Sequence, residues 1–456
     1  MFTPGLRGGA VRAPCHRGQK ELEALRTEYQ RVEAQIRAAS PRYAVLTQPQ
    51  PLGVSAIQKQ VLDPDTVLLE YALGQQRSYL WAVTASGLTS FELAGRGEIE
   101  TLALRFYRTI VGRRPSAPDD YQKTAGALSK ILLGPVKDEL GTRRLLIAAD
   151  GALQIVPFAA LPSPSLDAGA TEPYEPLIVR HEIVSVPSAS TLAFLRRDVA
   201  GRHLAPRKLA VFADPVFERE DGRVSGGVAQ AGNGTRGFVQ TVPQDQAASP
   251  AGQVASEAAS LLGLERLPFT RQEAEAILRL APPQSRFAAL DFAANRSTAI
   301  SKDLSQYQIV HFATHGVVND AHPELSGIVL SLFDDKGSPQ DGFLRLNDLF
   351  NLKLNADLVV LSACRTALGR EVRGEGLIGL ARGFMYAGAP RVVVSLWSVS
   401  DQATAEEMQR FYQGMLGSRH LRPAAALREA QIAMWKQEKW RAPFLWAAFV
   451  LQGEWK

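Results

Sequence analysis

At 456 residues, the chain is too long for one ordinary domain and points to two or three; 46% hydrophobic and 21% charged residues exclude a disordered or fibrous protein. The formal charge of +5 sits at one end: residues 1–42 hold eight Lys/Arg against four Glu, leaving +1 on the other 414, so no nucleic-acid partner is expected. The two cysteines, Cys15 and Cys364, exclude a disulfide scaffold and a cysteine-rich zinc site, and no run of eighteen apolar residues offers a membrane span.

Residues 1–19 read as a disordered basic head without the apolar core of a secretory signal, which makes the cytoplasm the expected location. From Glu21, the residues Leu22, Leu25, Tyr29, Val32 and Ile36 recur at helical spacing, a narrow apolar stripe in search of a partner surface. Such a helix either docks on the body or is the last piece of a larger helical region. Val67–Leu73 and Tyr79–Val83 are expected strands, with Gly74-Gln75-Gln76 as the hairpin turn between them. Helices are expected over 97–111 and 122–140, then a strand Arg144–Ala149 ending at the turn dipeptide Asp150-Gly151. Pro157, Pro162, Pro164, Pro173 and Pro176 make the following stretch a wrapping loop.

Lys208–Phe212 reads as a strand and Ser256–Leu262 as a helix that Gly263 could end. Between them, residues 218–252 hold seven glycines and almost no bulky apolar residue, the mark of a flexible insertion. In the last third, Tyr307–Ala313, Gly327–Leu332, Asp357–Ala363 and Arg391–Trp397 are apolar runs. They alternate with helices over 376–387, 401–416 and 423–438, and a strand Phe444–Gln452 closes the chain. This alternation predicts a mostly parallel sheet covered by helices on both faces, with the carboxyl ends of its strands on one edge. Sites in α/β proteins gather at that edge.

Two of these runs lead into reactive side chains, one into His315-Gly316 and the other into Cys364. A thiol is only slightly ionised near neutral pH, and an imidazole that takes its proton makes it a nucleophile. The same imidazole can protonate a leaving amine. The backbone amides of Gly316 and Cys364 are natural donors to an oxyanion. Each residue alone is better explained by the core, because cysteine is commonly buried and inert. Their joint placement at two strand ends is what favours chemistry.

The stretches His311-Phe-Ala-Thr-His-Gly, Leu361-Ser-Ala-Cys-Arg-Thr-Ala, Gly374-Glu-Gly, Ser395-Leu-Trp-Ser-Val-Ser-Asp401 and Trp446-Ala-Ala-Phe-Val-Leu resemble the CHAT family. That family groups caspase-like proteins, mostly bacterial, related to the separase and caspase cysteine peptidases and often fused to tetratricopeptide repeats. The likeness runs over about 41–456 and includes Leu146–Leu161 and Leu267-Pro-Phe-Thr. It implies an α/β fold with a caspase-like, mostly parallel sheet flanked by helices. On it, 1–40 are a head and helix that could be a remnant of a helical repeat region, and 41–205 an N-terminal α/β part. Residues 206–456 are then the protease domain, interrupted by 218–252. By analogy with separase, the N-terminal part could be an inactive copy of the same fold, a pseudo-caspase. The resemblance also implies that His315 and Cys364 are a catalytic dyad acting on a peptide bond without metal or organic cofactor. An activating protein or helical-repeat region is the expected regulator, and a protein or peptide the substrate.

Gly374-x-Gly376-x-x-Gly379 spells a dinucleotide fingerprint, but the preceding run stops at Ala363, ten residues too early. His311 and His315 are four apart, yet Phe312 stands where a zinc protease needs Glu, so His311 reads as a core residue and no metal is expected. Asp320, Glu375 and Asp401 lie near the proposed edge and would favour Arg or Lys before the cut bond. A preference for Asp would instead want Arg365 or Arg382. All five also suit solvated surface or helix capping; Asp401 is favoured because it falls in the family-like Trp-x-Val-x-Asp stretch. Arg223 and Arg236 make 218–252 a candidate self-cleavage segment. The rival reading is a catalytically silent signalling module that binds partners through the 21–38 stripe.

Overall fold

Leu358–Leu361 and Val392–Val394 are almost wholly withdrawn from solvent, as continuous aliphatic runs must be when both faces of a strand are covered. The computed structural model describes residues 27–28, 31, 42, 49–112, 118–164, 174–224, 264–317, 326–362, 370–372, 376–397 and 399–456. It divides into two units, Met1–Gln50 and Pro51–Lys456. In the first unit, Thr27, Glu28 and Arg31 are helical and Arg31 pairs with Glu28 at 2.6 Å. All five residues of the apolar stripe, Leu22, Leu25, Tyr29, Val32 and Ile36, lie outside the described residues.

In the second unit a short helix, Val54–Gln60, precedes a meander, β1 (Thr66–Ala72), β2 (Ser78–Val83) and β3 (Leu88–Leu93), joined antiparallel. Helices α1 (Arg96–Val111) and α2 (Pro118–Leu132) follow, then β4 (Arg144–Ala148), β5 (Ile183–Ser185) and α3 (Ala189–Val199). Next come β6 (Arg207–Ala213), α4 (Pro268–Arg279), β7 (Arg286–Leu290), β8 (Tyr307–Ala313) and β9 (His315–Val317). After β10 (Gly327–Val329), β11 (Phe343–Arg345) and β12 (Leu358–Ser362) stands a small hairpin of β13 (Arg370–Val372) and β14 (Gly376–Ile378). The chain closes with α5 (Leu380–Ala387), β15 (Arg391–Ser395), α6 (Asp401–Leu416), α7 (Pro423–Trp435) and β16 (Phe449–Gly453).

Among the described residues eleven strands form one sheet, in the order β3-β2-β1-β4-β5-β16-β15-β12-β8-β6-β7. It is built from two parallel blocks running in opposite directions. β15, β12, β8, β6 and β7 are mutually parallel. β1, β4, β5 and β16 are parallel to one another. The blocks meet at the antiparallel pair β15–β16. Neighbouring side chains of β8 reach opposite faces: His311 contacts Glu273 of α4 and Tyr412 of α6, whereas Phe312 packs on Phe384 of α5. The sheet is thus mixed α/β, mostly parallel and flanked by helices. Each fully buried Val, Leu or Phe in it contributes about 1.5–3 kcal/mol.

Four expectations need correction. Gly327–Leu332 does not join the parallel sheet; only Gly327–Val329 is a strand, in a separate antiparallel sheet of order β11-β10-β9. A Cβ at Gly327 would lie 2.6 Å from the Leu344 carbonyl oxygen, so glycine permits that close pairing. The helix expected over 376–387 starts only at Leu380, because Gly376–Ile378 pair with β13. The helix over 122–140 ends at Leu132, where Gly134-Pro135 force a 3-10 turn before a short helix Lys137–Leu140. The closing strand starts at Phe449 and runs antiparallel to β15, since Pro443–Trp446 form a helical turn that buries Trp446. Ser256–Leu262 and Gly263 lie outside the described residues.

Candidate active site

The site is set by register. In the β8–β12 pair, Ala313 stands opposite Ser362, and the Thr314 amide donates to the Ser362 carbonyl at 3.2 Å. The two strands therefore end side by side at one edge. Past Ala313 the chain turns out of the main sheet: the Thr314 hydroxyl bonds the Val329 carbonyl, and His315–Val317 pair with β10. His315 is half-buried, its ring 4.9 Å from that of Phe217. Phe217 belongs to an apolar cluster of Val216, Val224, Leu264, Val329, Leu332 and Phe333.

His315 Nε2 lies 2.7 Å from the carbonyl oxygen of Glu265. A carbonyl only accepts, so Nε2 carries the proton and Nδ1 the lone pair. Burial lowers the imidazole below its usual 6.5, partly offset by the Glu265 carbonyl and carboxylate. At neutral pH the ring is uncharged and able to take a proton. Gly316 stands opposite Ile328 in the β9–β10 pair.

Asp401 opens α6. Its carboxylate accepts the amide of Phe269 in the first turn of α4 at 2.9 Å, capping a helix whose own preceding residue, Leu267, supplies no side-chain cap. Burial pushes the Asp401 carboxyl up to about 6; the Phe269 bond opposes the shift, and the charges of Glu273 and Asp214 add to it. Asp401 lines a small cleft with Leu267, Thr270, Thr314, Ser362, Val399 and Thr404. The cleft joins three of the expected pieces: the neighbour of His315, the last residue of the strand leading toward Cys364, and Asp401. Arg382 is elsewhere, lining a separate cleft with Gln154, Ser185 and Gln452. Cys364, Asp320, Glu375, Arg365 and Arg236 lie outside the described residues.

Sequence reasoning passed over several groups. The Glu265 carbonyl has no side-chain signature. Asp214, 1% exposed at the end of β6, pairs with Arg266 and Arg271 at 2.9 Å each and with Arg223 at 3.1 Å. Its φ of 51° is left-handed, a conformation Asp tolerates better than most residues. Arg223 also binds Asp291 at 2.7 Å and Asp221 at 2.6 Å, so this arginine is engaged by three carboxylates rather than offered for cleavage. Residues 218–224 form turns ending at the buried Val224; the remainder of 218–252 lies outside the described residues. His311 is wholly buried, with Nδ1 3.0 Å from the Tyr412 hydroxyl.

Among the described residues, no helix is long and apolar enough to cross a membrane, and no group of three or more His, Cys, Asp or Glu could hold a metal ion. What the fold and site define is an α/β protein with polar groups gathered at the carboxyl edge of a parallel block. Residues 122–454 match the family model of the CHAT domain, and the chain belongs to that family. It is similar to tetratricopeptide repeat protein 28 of Mus musculus, 39% identical over 106 residues, 23% of this chain and 4% of that protein. The Homo sapiens protein of the same name is 35% identical over 114 residues, 25% of this chain and 4% of its own length. The matched segment is thus a small fraction of these curated relatives. Among solved structures, the Saccharomyces cerevisiae separase–securin complex aligns with 87% of this chain and 31% of that one, at 11% identity and a TM-score of 0.49.

Proposed function

We propose that the chain is a CHAT-type cysteine endopeptidase that cuts peptide bonds in a protein substrate, with Cys364 as nucleophile and His315 as general acid and base. The observation that carries this reading is the tautomer of His315, fixed by the Glu265 carbonyl, at the end of a strand paired in register with the one leading to Cys364. Cys364 follows Ser362 by two residues, a chain reach of about 7 Å.

In this mechanism Nδ1 takes the thiol proton and the thiolate attacks the scissile carbonyl carbon. The oxyanion is held by the amides of Gly316 and Cys364. The imidazolium then gives its proton to the leaving amine as the C–N bond breaks. Water, deprotonated by the same nitrogen, hydrolyses the thioester and restores the thiol. A basic side chain before the cut bond suits the desolvated Asp401, with Glu375 and Asp320 as further acidic candidates. The tetratricopeptide repeat relatives support control by a helical-repeat region or an activating protein.

The test is peptide-library profiling of the purified chain, alone and with candidate activators, beside Cys364→Ala. Cleavage and labelling by a thiol-reactive peptide should both vanish in the variant. Identical behaviour of the two proteins across the library would favour a silent interaction module.

A further inference from the structure

We propose that Glu273 is a positioning residue: from inside α4 it ties together the two strands that lead to the catalytic pair. The inference rests on the peptidase reading above and adds to it a residue that touches neither substrate nor the reacting atoms.

Glu273 is 1% exposed. One carboxylate oxygen, Oε2, accepts the hydroxyl of Ser362 at the end of β12 at 3.3 Å. The other, Oε1, lies 3.0 Å from His311 Nε2 on β8, a close polar contact whose angle falls outside hydrogen-bond geometry. Ser362 precedes Cys364 by two residues, and His311 precedes His315 by four. His311 in turn meets the Tyr412 hydroxyl on α6, the helix that starts with Asp401. A buried chain Ser362–Glu273–His311–Tyr412 therefore links β12, α4, β8 and α6.

The same helix is fastened to the site twice more. The segment just before it supplies the Glu265 carbonyl to His315, and its Phe269 amide is held by Asp401. Withdrawing a carboxylate from water costs several kcal/mol unless partners compensate, and an apolar side chain of that size would incur no such cost. What the carboxylate supplies instead is two oxygens at a fixed separation, one set against each strand. The other acids facing this group are Glu407 and Asp401, both of α6. Burial, with the charge of Glu273, pushes Glu407 well above the usual range, and Gln431 bonds to it. Catalysis by a positioned pair is sensitive to displacement on the ångström scale, so a loosened tie should appear in turnover rather than in substrate binding.

The experiment compares the full chain with Glu273→Gln, which keeps the shape and removes the charge and one acceptor. Turnover of the best library peptide is measured per thiol titrated with a thiol-reactive peptide, together with KM and melting temperature. The expected result is a kcat per titrated thiol lowered about 10–100-fold, with KM changed by less than about twofold. A merely structural role would lower the melting temperature or the titratable fraction and leave kcat per thiol unchanged; that result overturns the inference while the peptidase reading stands. Should Glu273→Gln fail to fold, Ser362→Ala, which removes only one hydroxyl, takes its place: lowered kcat per thiol supports the tie and unchanged kcat overturns it. If the wild-type chain shows no Cys364-dependent turnover, the peptidase reading falls and the inference with it.

Discussion

At the end of β4, Asp150 accepts the Leu73 amide at 2.7 Å and pairs with Arg96 at 3.1 Å; Arg96 in turn binds the Leu73 carbonyl and Glu100. Gly151 turns the chain there at φ 56°, where a Cβ would fall 2.5 Å from a Glu100 oxygen. At the ends of β8 and β12 the polar groups are arranged otherwise. His315 commits one nitrogen to the Glu265 carbonyl, while Asp401 is desolvated beside a cleft. Both parallel blocks end in strand-to-turn junctions rich in charge. In one the charges close a loop among themselves; in the other a carboxylate is desolvated along a cleft and an imidazole is bound to a backbone carbonyl. The two ends differ in how their polar groups are paired, and the fold is compatible with both arrangements.

The sharpest way to break this contrast is to exchange the ends' key side chains for inert ones. His315→Ala should lower kcat/KM for the best library peptide by about 10²–10⁴-fold without loss of folding, as circular dichroism would verify. A drop below tenfold would remove the imidazole from the mechanism. Asp401→Asn should lower kcat/KM for a peptide with Arg before the cut bond by about 10–100-fold and spare a peptide with a neutral residue there, because Asn still accepts the Phe269 amide. Equal losses on both peptides would make Asp401 a cap only.

A pH profile sharpens the same point. The Asp401 carboxyl sits at about 6, above its ordinary 3.8, so its charge is present above that pH and is lost as pH falls through it. Preference for the Arg peptide should decline across that window and the decline should vanish in Asp401→Asn. A limb that persists in the variant belongs to His315 and lies below the ordinary 6.5, since burial lowers that imidazole. The smallest effect belongs to the other end of the sheet. Asp150→Asn should cost about 1 kcal/mol of stability in denaturant melts and leave kcat/KM unchanged; a fall in turnover would show the two ends to be coupled.

Much of the C-terminal part was readable because β8, β12 and β15 are continuous aliphatic runs, a pattern that survives without tertiary context. The Arg391–Trp397 run simply overshot Ser395. α6 was placed to the residue, since Asp401 begins it and Gly417 follows it. The misses have two causes: Gly134-Pro135 and Pro443 break the chain locally, while at β10 and β14 pairing with another strand overrode the local pattern. Phe444 and Trp446 look like strand residues, yet Pro443 starts a turn that sinks Trp446 into the core. α4 was missed altogether. Its sequence, PFTRQEAEAILR, is dense with charge, and a Glu in such a stretch reads as solvent-facing. Only the sheet laid against it reveals that Glu273 points inward. His311 was correctly assigned to the core, but no spacing rule predicts that its partners come from 38 residues earlier and 101 later. Asp401 was legible as a cap and as an acid; what it caps became visible only when α4 was in place.

The apolar cluster behind His315 draws Val216, Phe217 and Val224 from one side of residues 225–263 and Leu264, Val329, Leu332 and Phe333 from the other. β6, ahead of that stretch, is clasped between β7 and β8, which come after it, and Arg223 is moored to Asp291 across the same gap. A single nick between Val224 and Leu264 should therefore yield two polypeptides that elute together in gel filtration and separate only on denaturation, with His315 and Cys364 both on the later piece.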